Sequence, residues 1–200
     1  MVRRTILGIA FACLGLAVPV LHGAQGAETF GIGASLSSVN SVNHGFHLDR
    51  FDTVDWNAWV QYQLESDVEL RGTFGSMKVR GYNGGQSVTL GDGSAATLPE
   101  LRDRIQYGLV TVAYEFHERA WTSGLFAGLG AYGIDPESAD PAFETFRDKK
   151  ETAWGLHFGL DADVRVWRGI SVLGRLTLHI PQTKPQRRIL TAGAGLLYRF

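Results

Sequence analysis

The chain has 200 residues, 44% of them hydrophobic and 20% charged, with a formal net charge of −1. That length suits one domain, the charge balance offers no basic surplus for nucleic acid, and the lone cysteine, Cys13, excludes a disulfide framework or a multi-thiolate metal site. Twenty-five glycines with 11 Phe, 6 Tyr and 5 Trp, beside only 6 prolines, are the composition of a sheet-rich barrel rather than of a helical bundle.

Residues 1–26 have the three parts of a secretory signal peptide. Arg3 and Arg4 form a basic start, Thr5 to Leu21 is an apolar run broken by Pro19, and Ala24-Gln25-Gly26 supplies the small residues that signal peptidase needs. Cleavage after Gly26 leaves residues 27–200 as one exported domain. No stretch of that domain reaches the ~20 consecutive apolar residues of a spanning helix, so entry into a membrane would have to use strands.

From there the chain alternates with period two through eight segments. Strand one (Glu28 to Val39) alternates softly. Strand two sets Trp56, Ala58, Val60, Tyr62 and Leu64 against Asp55, Asn57, Trp59, Gln61 and Gln63. Strands three (Val68 to Arg80) and four (Arg104 to Phe116) are the least regular, and strand five (Thr122 to Gly133) is again soft. Strand six sets Trp154, Leu156, Phe158, Leu160, Ala162, Val164 and Val166 against His157, Asp161, Asp163 and Arg165. Strand seven sets Ile170, Val172, Leu176 and Ile180 against Ser171, Arg175, Thr177 and His179, and strand eight sets Leu196, Tyr198 and Phe200 against Thr191 and Arg199. Short connections (65–67, 117–121, 167–169) alternate with long ones (40–53, 81–103, 134–151, 181–188), the connectivity of an up-and-down barrel.

Three features favour an apolar outside and a polar inside, the arrangement of a transmembrane barrel. The loops are asymmetric. Aromatic residues collect at both strand ends, with Tyr62, Tyr114, Phe116 and Trp167 towards the short turns and Trp56 and Trp154 towards the long loops, as two interfacial girdles would require. The polar face carries Asp55, Glu69, Arg71, Glu115, Asp161, Asp163, Arg165, Arg175 and Arg199, roughly balanced in sign and interleaved with glycine, and this reads as a lumen plugged by ion pairs. Centring the 167–169 turn on Arg168 pairs Asp161 with Arg175 and His157 with His179, while a two-unit slip would pair Asp163 with Arg175 instead.

The ending Leu196-Leu197-Tyr198-Arg199-Phe200 resembles the C-terminal assembly signal of bacterial outer-membrane proteins, carried by Tyr198 and Phe200. In organisation, residues 28–200 resemble the small eight-stranded OmpA/OmpX/OmpW-type barrels. The resemblance implies an all-β, eight-stranded antiparallel up-and-down transmembrane barrel in the bacterial outer membrane. It would be delivered by the outer-membrane insertion machinery and contact outer-membrane lipids and lipopolysaccharide as a monomer, without cofactor or nucleic acid. It implies a structural or surface-interaction role. The alternatives are an OmpW-like conduit for small hydrophobic molecules, or a soluble periplasmic lipid-binding barrel with its faces inverted.

No catalytic, cofactor or metal site emerges. Lipid A deacylases of such barrels place His and Ser two residues apart on one outward face. His157 and His179 have no such Ser and lie on the polar face, and omptin-type proteases need ten strands. His44-x-x-His47-x-Asp49 reads as a solvated loop, and Gly128 to Gly133 is barrel sequence, since no helix follows it. Pro181 to Arg188 is basic and of a type that suits lipopolysaccharide phosphates, but it reads first as an ordinary solvated loop.

Overall fold

The computed structural model describes residues 30–41, 53–80, 87–97, 102–118, 121–136, 149–184 and 186–200. The signal segment 1–26 and the His44, His47, Asp49 loop lie outside the described residues. Among the described residues there are ten strands: β1 (Phe30–Ser41), β2 (Thr53–Glu65), β3 (Val68–Arg80), β4 (Ser87–Thr89), β5 (Ala95–Thr97), β6 (Arg102–His117), β7 (Thr122–Pro136), β8 (Glu151–Trp167), β9 (Ile170–Pro181) and β10 (Ile189–Arg199). Eight of them close a barrel in which each strand pairs antiparallel with its neighbours, and β1 meets both β2 and β10. Part of the expected loop 81–103 is strand. It carries the separate hairpin β4–β5 and yields its last residues to β6. In the tip of that hairpin Asp92 accepts hydrogen bonds from the Ser94 hydroxyl (2.6 Å) and backbone N–H (2.9 Å), which holds its carboxyl below the ordinary range.

The register also sets the strand stagger. Following paired residues from Gln106 through Ser76, Trp56, Leu36, Ala194, Gly174, Ala162 and Ser123 returns to β6 at Phe116, ten residues along. Such a shear forces the strands to tilt about the axis, and an eight-stranded barrel leaves room only for side chains.

Two turns show how the chain fixes its own pairing. Arg168-Gly169 joins β8 to β9 with Gly169 at φ 71, and a Cβ there would also come within 2.6 Å of the Arg199 carbonyl. The register then shifts between Arg165 and Trp167, so Val166 is an extra residue. Below that bulge the register runs unbroken and sets Asp161 opposite Arg175 and His157 opposite His179. A second shift lies between Gln63 and Glu65, beside the Ser66-Asp67 turn. The barrel closes at this end through Phe200 N–H to the Phe30 carbonyl (2.9 Å), with the Phe30 and Phe200 rings 5.5 Å apart.

Outward positions carry exposed Ile32, Leu36, Val112, Leu125, Leu129, Leu156, Leu160, Val172, Leu176 and Leu196, while Asp161, Thr177 and Thr191 are buried inside. That direction of the side chains rules out the inverted, soluble arrangement, whose outer wall would have to be polar.

Candidate functional site in the barrel lumen

The inward side chains sort by height into two regions. At the end with the short turns and both strand termini, three arginines and four carboxylates converge. Arg71 on β3 donates through Nε to Glu69 and through Nη1 to Asp161 on β8, and its Nη2 lies 3.6 Å from Glu115 on β6. Arg175 on β9 reaches the same Asp161 oxygen at 3.1 Å. Arg199 on β10 grips Asp163 with two nitrogens, each at 3.1 Å, and lies 3.6 Å from Glu115. Planar guanidinium groups suit this sharing, because each offers several donors in a fixed fork.

Above this floor the Arg175 guanidinium sits 4.1 Å over the Trp59 ring. Trp59 donates to Gln61 (2.9 Å) and packs with Leu173 and Leu197. Its indole lies across β1, where a Cβ at Gly33 would fall inside the ring, so glycine is required by close approach there. At mid-height a cavity of about 20 Å³ is lined by Asn57, Thr111, His157, Thr177, His179 and Thr191, among others. It has room for a water molecule and little more. Nε2 of His157 lies 2.8 Å from the Thr111 hydroxyl, whereas its Nδ1 has no partner among the described residues.

The half towards the long loops is different. Val39, Met77, Val79, Ile105, Leu109, Ile134 and Ile189, with Tyr107 and Tyr132, form one buried apolar cluster. Its polar atoms are paired. Tyr107 donates to Asp55 (2.8 Å), Asn57 donates to the same carboxylate (3.1 Å), and the Tyr132 hydroxyl lies 3.2 Å from His179 Nδ1. At the mouth Thr183 and Arg187 are buried, and Arg187 donates to buried Asp103 at 2.5 Å. Of the basic residues in 181–188, Arg187 is thus buried in an ion pair, whereas Lys184 and Arg188 are exposed.

The structure brings Arg71, Glu115, Asp161, Asp163, Arg175 and Arg199 together but not Arg165. Arg165 is exposed at the end of β8, beside the bulge and opposite Ser171 in register. Asp55 and Glu69, expected on the polar face, are buried in the lumen, and Asp103, which had not been singled out, joins them. All three stand at inward positions of their strands, which was the available signal. Trp56, Tyr114, Phe116, Trp154 and Trp167 are exposed on the outer wall, Tyr62 is half-buried there, and Tyr198 and Phe200 face outward at the barrel's closure.

Residues 9–200 match the family described as "Outer membrane protein beta-barrel domain". No curated protein matches the chain. Among solved structures, Neisserial surface protein A is similar with a TM-score of 0.58 at 12% identity, covering 87% of this chain and 98% of its own. The N-terminal β-barrel domain of OprF from Pseudomonas aeruginosa gives 0.53 at 11% identity, over 86% and 98% of the two chains. Ail, the attachment invasion locus protein of Yersinia pestis, gives 0.51 at 16% identity, over 86% and 97%. At these identities the likeness is one of fold.

Proposed function

The chain belongs to the outer-membrane β-barrel family, and on that premise we propose that it is a closed barrel of the bacterial outer membrane with a structural or surface-interaction role and no catalytic one. The observation that carries this reading is the filled lumen. Ion pairs occupy its lower half, an apolar cluster occupies its upper half, and the space between them is about 20 Å³. A barrel packed this way passes no hydrated solute, so its contacts with the surroundings fall to the outer wall and the long loops. Planar-bilayer recording tests it. The folded chain should show no steady conductance, and a stable open level would overturn the closed reading.

A second reading, a conduit for small hydrophobic molecules, draws on the apolar upper half. It requires those side chains to part, so a long-chain probe that protected the Tyr107 and Tyr132 region from quenching would favour it.

Two further parts of the proposal concern delivery. Residues 1–26 act as a cleaved signal peptide, and the intact mass of the exported protein should lack about the first 26 residues. Tyr198 and Phe200 serve insertion. Deleting Phe200 should lower outer-membrane yield at normal expression, and an unchanged yield would remove that role.

A further inference from the structure

Arg187 and Asp103 come from opposite walls of the barrel. In the closed order β1-β10-β9-β8-β7-β6-β3-β2, three strands separate β10 from β6 by either route. Asp103 is the second residue of β6, and Arg187 stands two residues ahead of Ile189, the first of β10. Both continue the inward alternation of their strands. The next inward residue below each is an isoleucine, Ile105 or Ile189, and both are fully buried. An eight-stranded lumen is narrow enough for an arginine side chain to reach across it. The pair, at 2.5 Å, therefore spans the mouth directly above the apolar cluster.

Outward residues of β6 are apolar from Phe116 to Val110 and polar at Gln106 and Arg104. Asp103 thus lies beyond the apolar band, on the aqueous side that carries the long loops. Val79, opposite Asp103 in register, and Thr183 are buried beside the pair. Apolar side chains at 103 and 187 would seal the cluster without the cost of desolvating two charges. What an ion pair offers instead is reversibility. Once it parts, water at the mouth solvates both groups, as it could not solvate two exposed isoleucines.

We propose that Arg187 and Asp103 form a latch that holds the long-loop mouth shut, so that the apolar upper half of the lumen meets the outside only when this pair parts. The inference rests on the closed-barrel reading above and adds to it the place where the barrel opens. Loss of either member leaves the other charge buried and uncompensated, which favours the open mouth. Exchange of the two charges keeps the attraction and closes it.

The test follows access to position 79 in the folded barrel in lipid vesicles. Val79→Cys is close in size to the native residue, and it is the sole thiol once combined with Cys13→Ser. With the latch intact, a charged, water-soluble thiol reagent should label it slowly. Asp103→Asn and Arg187→Gln should each raise the rate about tenfold or more. Arg187→Lys, and the exchange Asp103→Lys with Arg187→Glu, should stay near the rate of the intact latch. Lys150→Ala, which breaks the exposed pair with Asp135, should change nothing. Fast labelling with the pair intact, rates unmoved by the single neutral variants, or no protection in either charge-keeping variant would each overturn the latch. The heat-induced gel shift reports which variants have formed the barrel, and where Asp103→Asn lacks it, Arg187→Gln decides. A steady conductance of the wild type would overturn the closed-barrel reading, whereas fast labelling of a non-conducting barrel would overturn the latch alone.

Discussion

The two halves of the lumen solve the same packing problem by opposite means. The lower half is held by charge. Arg71, Arg175 and Arg199 each serve at least one carboxylate, and Asp161 is shared between two arginines. The upper half is held by shape, through Met77, Val79, Ile105, Ile134 and Ile189 between two tyrosines. The difference teaches what each half tolerates. A buried ion network loses most when one member goes and the rest remain charged. An apolar cluster loses according to the volume removed.

The sharpest way to break the comparison is at Arg71, which touches three carboxylates. Arg71→Leu should cost about 3–5 kcal/mol in urea unfolding, by leaving Glu69 buried without its nearest cation and Glu115 without one of the two arginines beside it. Neutralising Glu69 as well, with Gln, should recover part of that loss. Strictly additive losses in the double-mutant cycle would show that the floor is not a coupled network.

In the upper half, Ile105→Ala should cost about 2–4 kcal/mol. No charge change in the floor should rescue it, and its loss should add to that of Arg71→Leu. A coupling well above about 0.5 kcal/mol between the two would mean that the halves are not independent.

Arg175→Leu should fall between the halves. Asp161 keeps Arg71 as a partner, so about 1–3 kcal/mol is expected, less than at Arg71, with part of it from the lost stacking on Trp59. A loss equal to that of Arg71→Leu would place the centre of the network on β9 rather than β3.

The smallest effect belongs outside the lumen altogether. Lys150→Ala removes an exposed partner of Asp135 and should change the unfolding midpoint by no more than about 0.5 kcal/mol equivalent. A larger change would show that the strand extensions beyond the membrane carry stability of their own.

Much of the barrel is legible in one dimension. Period-two alternation in β8, β9 and β10 marks inward and outward residues, because each strand there faces lipid on one side and a polar lumen on the other. The pairing of Asp161 with Arg175 follows from a short turn and a countable register. The soft alternation in β3 and β6 has a physical cause too. At their upper ends Met77, Val79, Ile105 and Tyr107 point inward and are apolar, so the contrast between faces fades where the lumen itself becomes apolar.

Tertiary structure alone decided which walls meet across the lumen. Arg71 and Asp161 are ninety residues apart, and only closure with a ten-residue stagger brings their tips together. The same stagger gathers inward apolar ends from five strands at one height, divides the lumen into two halves, and aligns Lys78 with Arg104 in register. Alternation fixes the side of the sheet to which a residue belongs. The height at which it meets a residue of a distant strand depends on the tilt and closure of the whole sheet, and no local pattern carries that information.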